Sequence, residues 1–230
     1  MKVTRQLTVV LALVVFCCAA SADMHDGMMH YASLMSSDGS FELKWAYKDS
    51  GMFYFIMKCK NTGWCGVGFS SMGNGAGMKD YDIAAGGYST SEYLYDYWSV
   101  GQRTPEKDAQ KDLTIECASE MGGYTMVHFK RPANTSDVEK DVQFTHNTTV
   151  WVMYAMDDED ITSSSFPKHS KRSRISSEVQ YNLIAMALAA DGAGTVFGDC
   201  GSSASTAIFS GTCAVASFLF YLISHFVLSS

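Results

Sequence analysis

Apolar and polar residues alternate in short runs along most of this chain, and turn residues separate the runs. Phe41-Glu42-Leu43-Lys44-Trp45-Ala46-Tyr47 alternates strictly enough to predict a half-buried strand. Phe53-Tyr54-Phe55-Ile56-Met57 and Val67-Gly68-Phe69 flank Asn61-Thr62-Gly63, which predicts two strands paired through a turn. Further strands are expected at Asp82–Ala85, Tyr93–Trp98, Leu113–Glu116, Tyr124–Phe129 and Val150–Met156. Many short strands with regular turns predict an all-β fold, a two-sheet immunoglobulin-like β-sandwich. The last apolar run, Val179–Ala189, ends at Asp191-Gly192; it is long and Ala-rich, and propensity alone favours a helix there. The stretch Asp157–Ser177 is polar, Ser-rich and aperiodic, and a loop that long inside a compact domain is more often functional than idle.

The two ends follow a different pattern. Lys2 and Arg5 precede an apolar run from Leu7 to Ala20, and Ala20-Ser21-Ala22 is a small-x-small cleavage site. The run is too short for a stable span, so residues 1–22 are expected to be a signal peptide, with cleavage before Asp23. Ala207–Leu228 is a second apolar stretch, with no Lys or Arg after it to hold it on a cytoplasmic side. Small residues precede it, and this is the layout of a glycosylphosphatidylinositol (GPI) attachment signal over residues 201–230, with the lipid on Gly201, Ser202 or Ser203. The alternative is a C-terminal transmembrane helix. One domain over residues 23–200 is expected between the signals, on the outer leaflet of the plasma membrane.

That location changes how the cysteines read. Cys17, Cys18 and Cys213 fall in the two signals, leaving Cys59, Cys65, Cys117 and Cys200. An even number in an oxidising compartment predicts two disulfides with three possible pairings. Cys59 and Cys65 flank the predicted turn and would face each other across adjacent strands; Cys117 would then pair with Cys200. Asn134 and Asn147 each head a proline-free glycosylation sequon in a polar stretch. Net charge is -7, without a basic stripe, which excludes nucleic acid as a partner.

Several landmarks occur in order: Trp64-Cys65-Gly66-Val67-Gly68-Phe69-Ser70, Met78-Lys79-Asp80-Tyr81-Asp82-Ile83, Asp96-Tyr97, Pro105 with Asp108 and Gln110, and Phe129-Lys130-Arg131-Pro132. With this order and spacing the chain resembles DOMON domains, the extracellular β-sandwiches of dopamine β-monooxygenase relatives, of cellobiose dehydrogenase and of ferric-reductase-like proteins. The resemblance implies that Val179–Ala189 is a strand. It also implies either a haem-carrying electron-transfer module or a haem-free binding module. Haem-binding members carry a ligand methionine after the GFS-like strand and just before an Asp-containing strand, where Met78 stands here. Their ligand histidine precedes a segment like Arg174-Ile175-Ser176-Ser177-Glu178 and an Asn-Leu pair, here Asn182-Leu183, which matches His169.

A thioether and an imidazole together fill both axial positions of haem iron and raise its potential. The expected activity is therefore that of a b-type cytochrome domain passing single electrons, with haem b as cofactor and a membrane reductase or an ascorbate-like reductant as partner. His30, His128 and His146 are rivals for the imidazole, and most of the 14 methionines are expected in the core. No catalytic residue is expected: no Ser-His-Asp, paired-carboxylate or phosphate-loop constellation stands out, and no copper monooxygenase sequence accompanies the DOMON-like stretch in these 230 residues. The competing reading is a haem-free module binding a glycan or a surface protein through Tyr93, Tyr95, Tyr97 and Trp98. Asp157-Asp158-Glu159-Asp160 lacks the spaced ligands of a calcium loop. Cleavage before Asp23 would place His25 third from a free amine, a square-planar nitrogen set suited to Cu(II).

Overall fold

The computed structural model describes residues 30–72, 78–170, 174–177, 179–190 and 195–196. Asp23, His25, Cys200, Gly201, Ser202, Ser203 and both terminal signals lie outside them. The first sheet contains β1 (His30–Met35), β2 (Phe41–Lys48), β3 (Met52–Cys59), β8 (Thr114–Met121), β9 (Tyr124–Pro132) and β12 (Thr195–Val196), in the order β12-β1-β2-β3-β9-β8. The second contains β4 (Cys65–Ser70), β5 (Lys79–Tyr88), β6 (Glu92–Val100), β7 (Glu106–Lys107), β10 (Trp151–Met156) and β11 (Arg174–Ser176), in the order β11-β10-β4-β5-β6-β7. All neighbouring strands pair antiparallel. The expected two-sheet β-sandwich is therefore present.

The alternation in the sequence becomes the core. Phe53, Phe55 and Met57 of β3 and Val127 and Phe129 of β9 point inward from the first sheet. Val67 and Phe69 of β4 and Val152 and Tyr154 of β10 meet them from the second. Aromatic rings join the layers: Phe41 stacks on Tyr154 at 4.3 Å, and Phe55 lies 5.5 Å from Phe69.

Two expectations are corrected. The strands on either side of Asn61–Gly63 do not pair with each other: β3 pairs with β2 and β9, and β4 with β5 and β10. β4 is buried on every residue and β3 on five of its eight, each lies between two strand neighbours, and the chain crosses between sheets instead of folding back as a hairpin. The Cys59–Cys65 disulfide does form (Cα–Cα 5.7 Å), but it clasps the two sheets at that crossing and not two adjacent strands. Cys117 on β8 is also disulfide-bonded.

The second correction concerns Val179–Ala189. Leu183–Ala190 is a helix, α1, and not a strand. Asn182 caps it, its side-chain oxygen accepting from the Ala185 N–H at 2.9 Å, and the alanines keep the cost of helix formation low. Leu183, Ile184 and Ala187 are buried against β1 and β2, and the Trp45 indole donates to the Leu183 carbonyl at 2.9 Å. No helix among the described residues is long and apolar enough to cross a membrane.

One polar cluster is sealed between the sheets. Arg131, on the inward face of β9 and 1% exposed, donates to Asp82 of β5 at 2.6 Å and to the Val142 carbonyl at 2.9 Å. Asp96 of β6 and Asp141 are also buried, and carboxylate oxygens of Asp82, Asp96 and Asp141 lie within 4.8 Å of one another. Burial, with mutual repulsion adding to it, pushes Asp96 up to about 8 and Asp141 up to about 7. Asp82 is raised as well, by burial against the pull of Arg131.

Candidate functional site

The outer face of the second sheet is as apolar as its inner face. Trp64, Tyr81, Ile83, Ala85, Tyr97 and Ile161 form a separate cluster there, with Met153 and Phe166 packed against it. Side chains alternate across a strand, so β4, β5 and β10 can be apolar on both faces only if something covers the outside. Part of the cover is the segment after β10. It is pinned at its start: the Asn61 amide donates to the Trp64 and Asp157 carbonyls, and the Trp64 N–H donates to the Glu159 carbonyl. Tyr93 then donates to the Asp160 carboxylate at 2.8 Å. Phe166 completes the attachment, 5.0 Å edge-on to Trp64 and 4.9 Å from Tyr97.

What this segment leaves uncovered is a cleft of about 650 Å³, within the range of roughly 300–1,000 Å³ usual for cofactor sites. Gly66 and Gly68 of β4 form its floor, with Ile83, Met153 and Ala155 beside them. A Cβ at Gly68 would sit 3.2 Å from both Ile83 and Met153, so the glycine keeps the floor low. Met78 and His169 both line this cleft. The residues singled out from sequence, 91 positions apart, are brought to one site.

Their local chemistry suits ligation. The His169 Nδ1 lies 3.1 Å from the Ser170 carbonyl. A carbonyl only accepts, so with Nδ1 donating there the neutral ring would keep its Nε2 lone pair, the tautomer a metal-binding imidazole needs. Met78 stands immediately before β5 with a left-handed φ of 53°. Trp64 also lines the cleft, and its buried indole N–H has no acceptor among the described residues. Of the rival histidines, His128 lies on β9 in the other sheet and His146 is exposed in a loop; neither lines the cleft.

The cleft combines a largely apolar lining and two glycines with one thioether, one imidazole and the basic Arg103 and Lys168, a donor set whose chemistry suits a haem. Sequence reading missed Trp64 and Phe166 as parts of the site. The available signal was the unbroken apolar run Trp151–Met156, which marks a strand covered on both faces. Tyr93, Tyr95 and Tyr97 share the outer face with this cluster, whereas Trp98 has the opposite parity, so the four aromatics do not form one exposed surface. Asn134 and Asn147 are both exposed.

Gly63 locks the covering segment in place. A Cβ there would lie 2.4 Å from the Asp158 backbone carbon and 2.5 Å from the Asp157 oxygen. Gly63→Ala should therefore cost about 1–3 kcal/mol, as overpacking does, and shift the segment that carries His169. Thermal melting, with protease cleavage between Asp157 and Ser170 as a second readout, checks this. Wild-type stability and protection in the variant would refute it.

Comparison with known proteins places the fold. The family model described as "DOMON domain" matches residues 37–157. The proteins named "DBH-like monooxygenase protein 1" are 32% identical to this chain, over 145 residues in Homo sapiens and 142 in Mus musculus. These alignments cover 63% and 61% of this chain but 22% of each relative, so the chain corresponds to about a fifth of those proteins. Among solved structures, the cytochrome b domain of pyranose dehydrogenase from Coprinopsis cinerea aligns with a TM-score of 0.53 at 13% identity, over 68% of this chain and 83% of that one. The cytochrome domain of Myriococcum thermophilum cellobiose dehydrogenase aligns with a TM-score of 0.52 at 14% identity, over 74% and 93%. With its family model spanning both sheets of the sandwich, the chain belongs to the DOMON domain family.

Proposed function

We propose that this DOMON domain is a b-type haem electron-transfer module, with Met78 and His169 as the axial ligands. The observation that carries this reading is the presence of both residues on the wall of one apolar, glycine-floored cleft. Haem b, when bound, supplies a one-electron iron couple, and thioether–imidazole ligation sets that couple high. The chain's own residues hold and insulate it. Gly66 and Gly68 admit the flat ring, Ile83 and Met153 exclude water, and Ser170 fixes the His169 tautomer. Met78 and His169 would hold the haem, and the group would supply outer-sphere transfer of single electrons, not oxygen chemistry. Its partner would be a membrane reductase or an ascorbate-like reductant. The setting is the cell surface, with residues 1–22 removed, residues 23–200 as the domain, and a lipid anchor replacing the tail.

Adding hemin to the purified full-length protein should produce a sharp Soret band at one equivalent. Met78→Ala should keep haem bound through His169 but convert the spectrum from six-coordinate low-spin to a five-coordinate or water-ligated form. The reduction potential should fall with it. A wild-type protein with no Soret change on adding hemin would end the proposal.

A further inference from the structure

The backbone next to Met78 is irregular in two respects. Met78 and Asp80 have φ of 53° and 59°, in the left-handed region that non-glycine residues rarely occupy. The pairing of β5 with β6 also shifts register between Lys79 and Tyr81, so Asp80 is an extra residue in β5. Lys79 is opposite Val100 and Tyr81 opposite Ser99, which leaves Met78 just outside the ladder. A side chain meets its carbonyl: the Ser99 hydroxyl, on a fully buried residue, donates to the Met78 oxygen across the bulge.

From this arrangement we infer that Ser99 is the positioning residue for Met78, its hydroxyl holding the left-handed backbone that keeps the thioether at the cleft. The inference rests on the reading of Met78 as a ligand. Bulges recur beside functional sites, where they re-aim a side chain. A non-glycine residue persists in the left-handed region only when its surroundings hold it there. Among the described residues, the Ser99 hydroxyl supplies that hold, just before ladder pairing begins at Lys79. A main-chain donor would hold the bulge regardless of sequence, whereas a serine makes this contact depend on its hydroxyl.

Ser99→Ala, Ser99→Thr and Met78→Ala, each in the full-length chain loaded with hemin, test this. Ser99→Ala should bind haem through His169. It should also lose most of the near-infrared thioether-to-iron absorption, with its reduction potential falling most of the way to that of Met78→Ala. Ser99→Thr keeps the hydroxyl and should restore both signals. If the alanine variant folds poorly, Ser99→Cys, close in size but a weak donor, should show the same loss. An unchanged band and potential in Ser99→Ala or Ser99→Cys would overturn the positioning role. A wild-type chain that binds no haem, or a wild-type band insensitive to Met78→Ala, would instead overturn the ligand reading on which the role rests.

Discussion

Arg131→Met should destabilise the domain by about 3–5 kcal/mol, the cost of removing one partner from a buried ion pair. Methionine retains much of the arginine stem, so packing beside Phe144, whose ring lies 4.9 Å from the guanidinium, is largely preserved. The charge is not replaced. Asp82 loses its 2.6 Å partner, and Asp141, 3.7 Å away, loses the cation it faces. The Val142 carbonyl also loses its donor, and with it goes the tie between β9 and the 133–144 loop. Urea denaturation at pH 8 checks this directly. A loss under about 1 kcal/mol, the range of an exposed pair, would mean that Arg131 does not neutralise the cluster.

The same cluster makes wild-type stability fall as pH rises from about 5 to 8. Asp96 and Asp141 ionise near 8 and 7 in the folded chain, but near 3.9 when unfolded. Both values are raised, so between these limits the native state holds protons that the unfolded state has released. Stability is then complete below the unfolded value and is lost as pH climbs through the folded ones. Each such proton contributes a slope of roughly 1.4 kcal/mol per pH unit, so the total across the window is a few kcal/mol. Thermal midpoints of wild type and Asp96→Asn, measured from pH 5 to 8, separate this effect from other titrations. The wild-type curve should fall with pH and that of Asp96→Asn should be flatter; parallel curves would refute the assignment.

The sequence revealed the strands better than it revealed their partners. Alternation along Phe41–Tyr47 and Tyr124–Phe129 reports local burial, which any sandwich topology satisfies, so β2 and β9 were legible. Which strand lies beside which is decided by neighbours distant in sequence. This is why the supposed hairpin around Asn61–Gly63 is a crossing between sheets, and why the Cys59–Cys65 pairing could be read without its setting. At Leu183–Ala190 intrinsic propensity was the better guide than resemblance, since the Asn182 cap and the alanine content act locally. Met78 and His169, which line one cleft, were singled out through family motifs alone. Trp64 and Phe166, which secure the wall of the cleft, look like ordinary core residues until the second apolar layer is seen. Arg131, Asp82 and Asp96 stood among the family landmarks, but their burial together was not legible, because β9 alternates as regularly through Arg131 as through Phe129.

The strand order has a consequence for solubility. Of the four outermost strands, β12 and β7 have two residues each and β11 three, too short to template another chain. Among the described residues, only β8, eight residues long, offers a long rim. Its pairing with β9 is broken by a register shift between Ile115 and Cys117, and Glu116, at the break, carries an exposed charge paired with Lys130 at 2.7 Å. A kinked strand with a carboxylate at its bend is a poor template for strand addition. Among the described residues, the sheet rims therefore favour separate molecules over edge-to-edge fusion even at high local density.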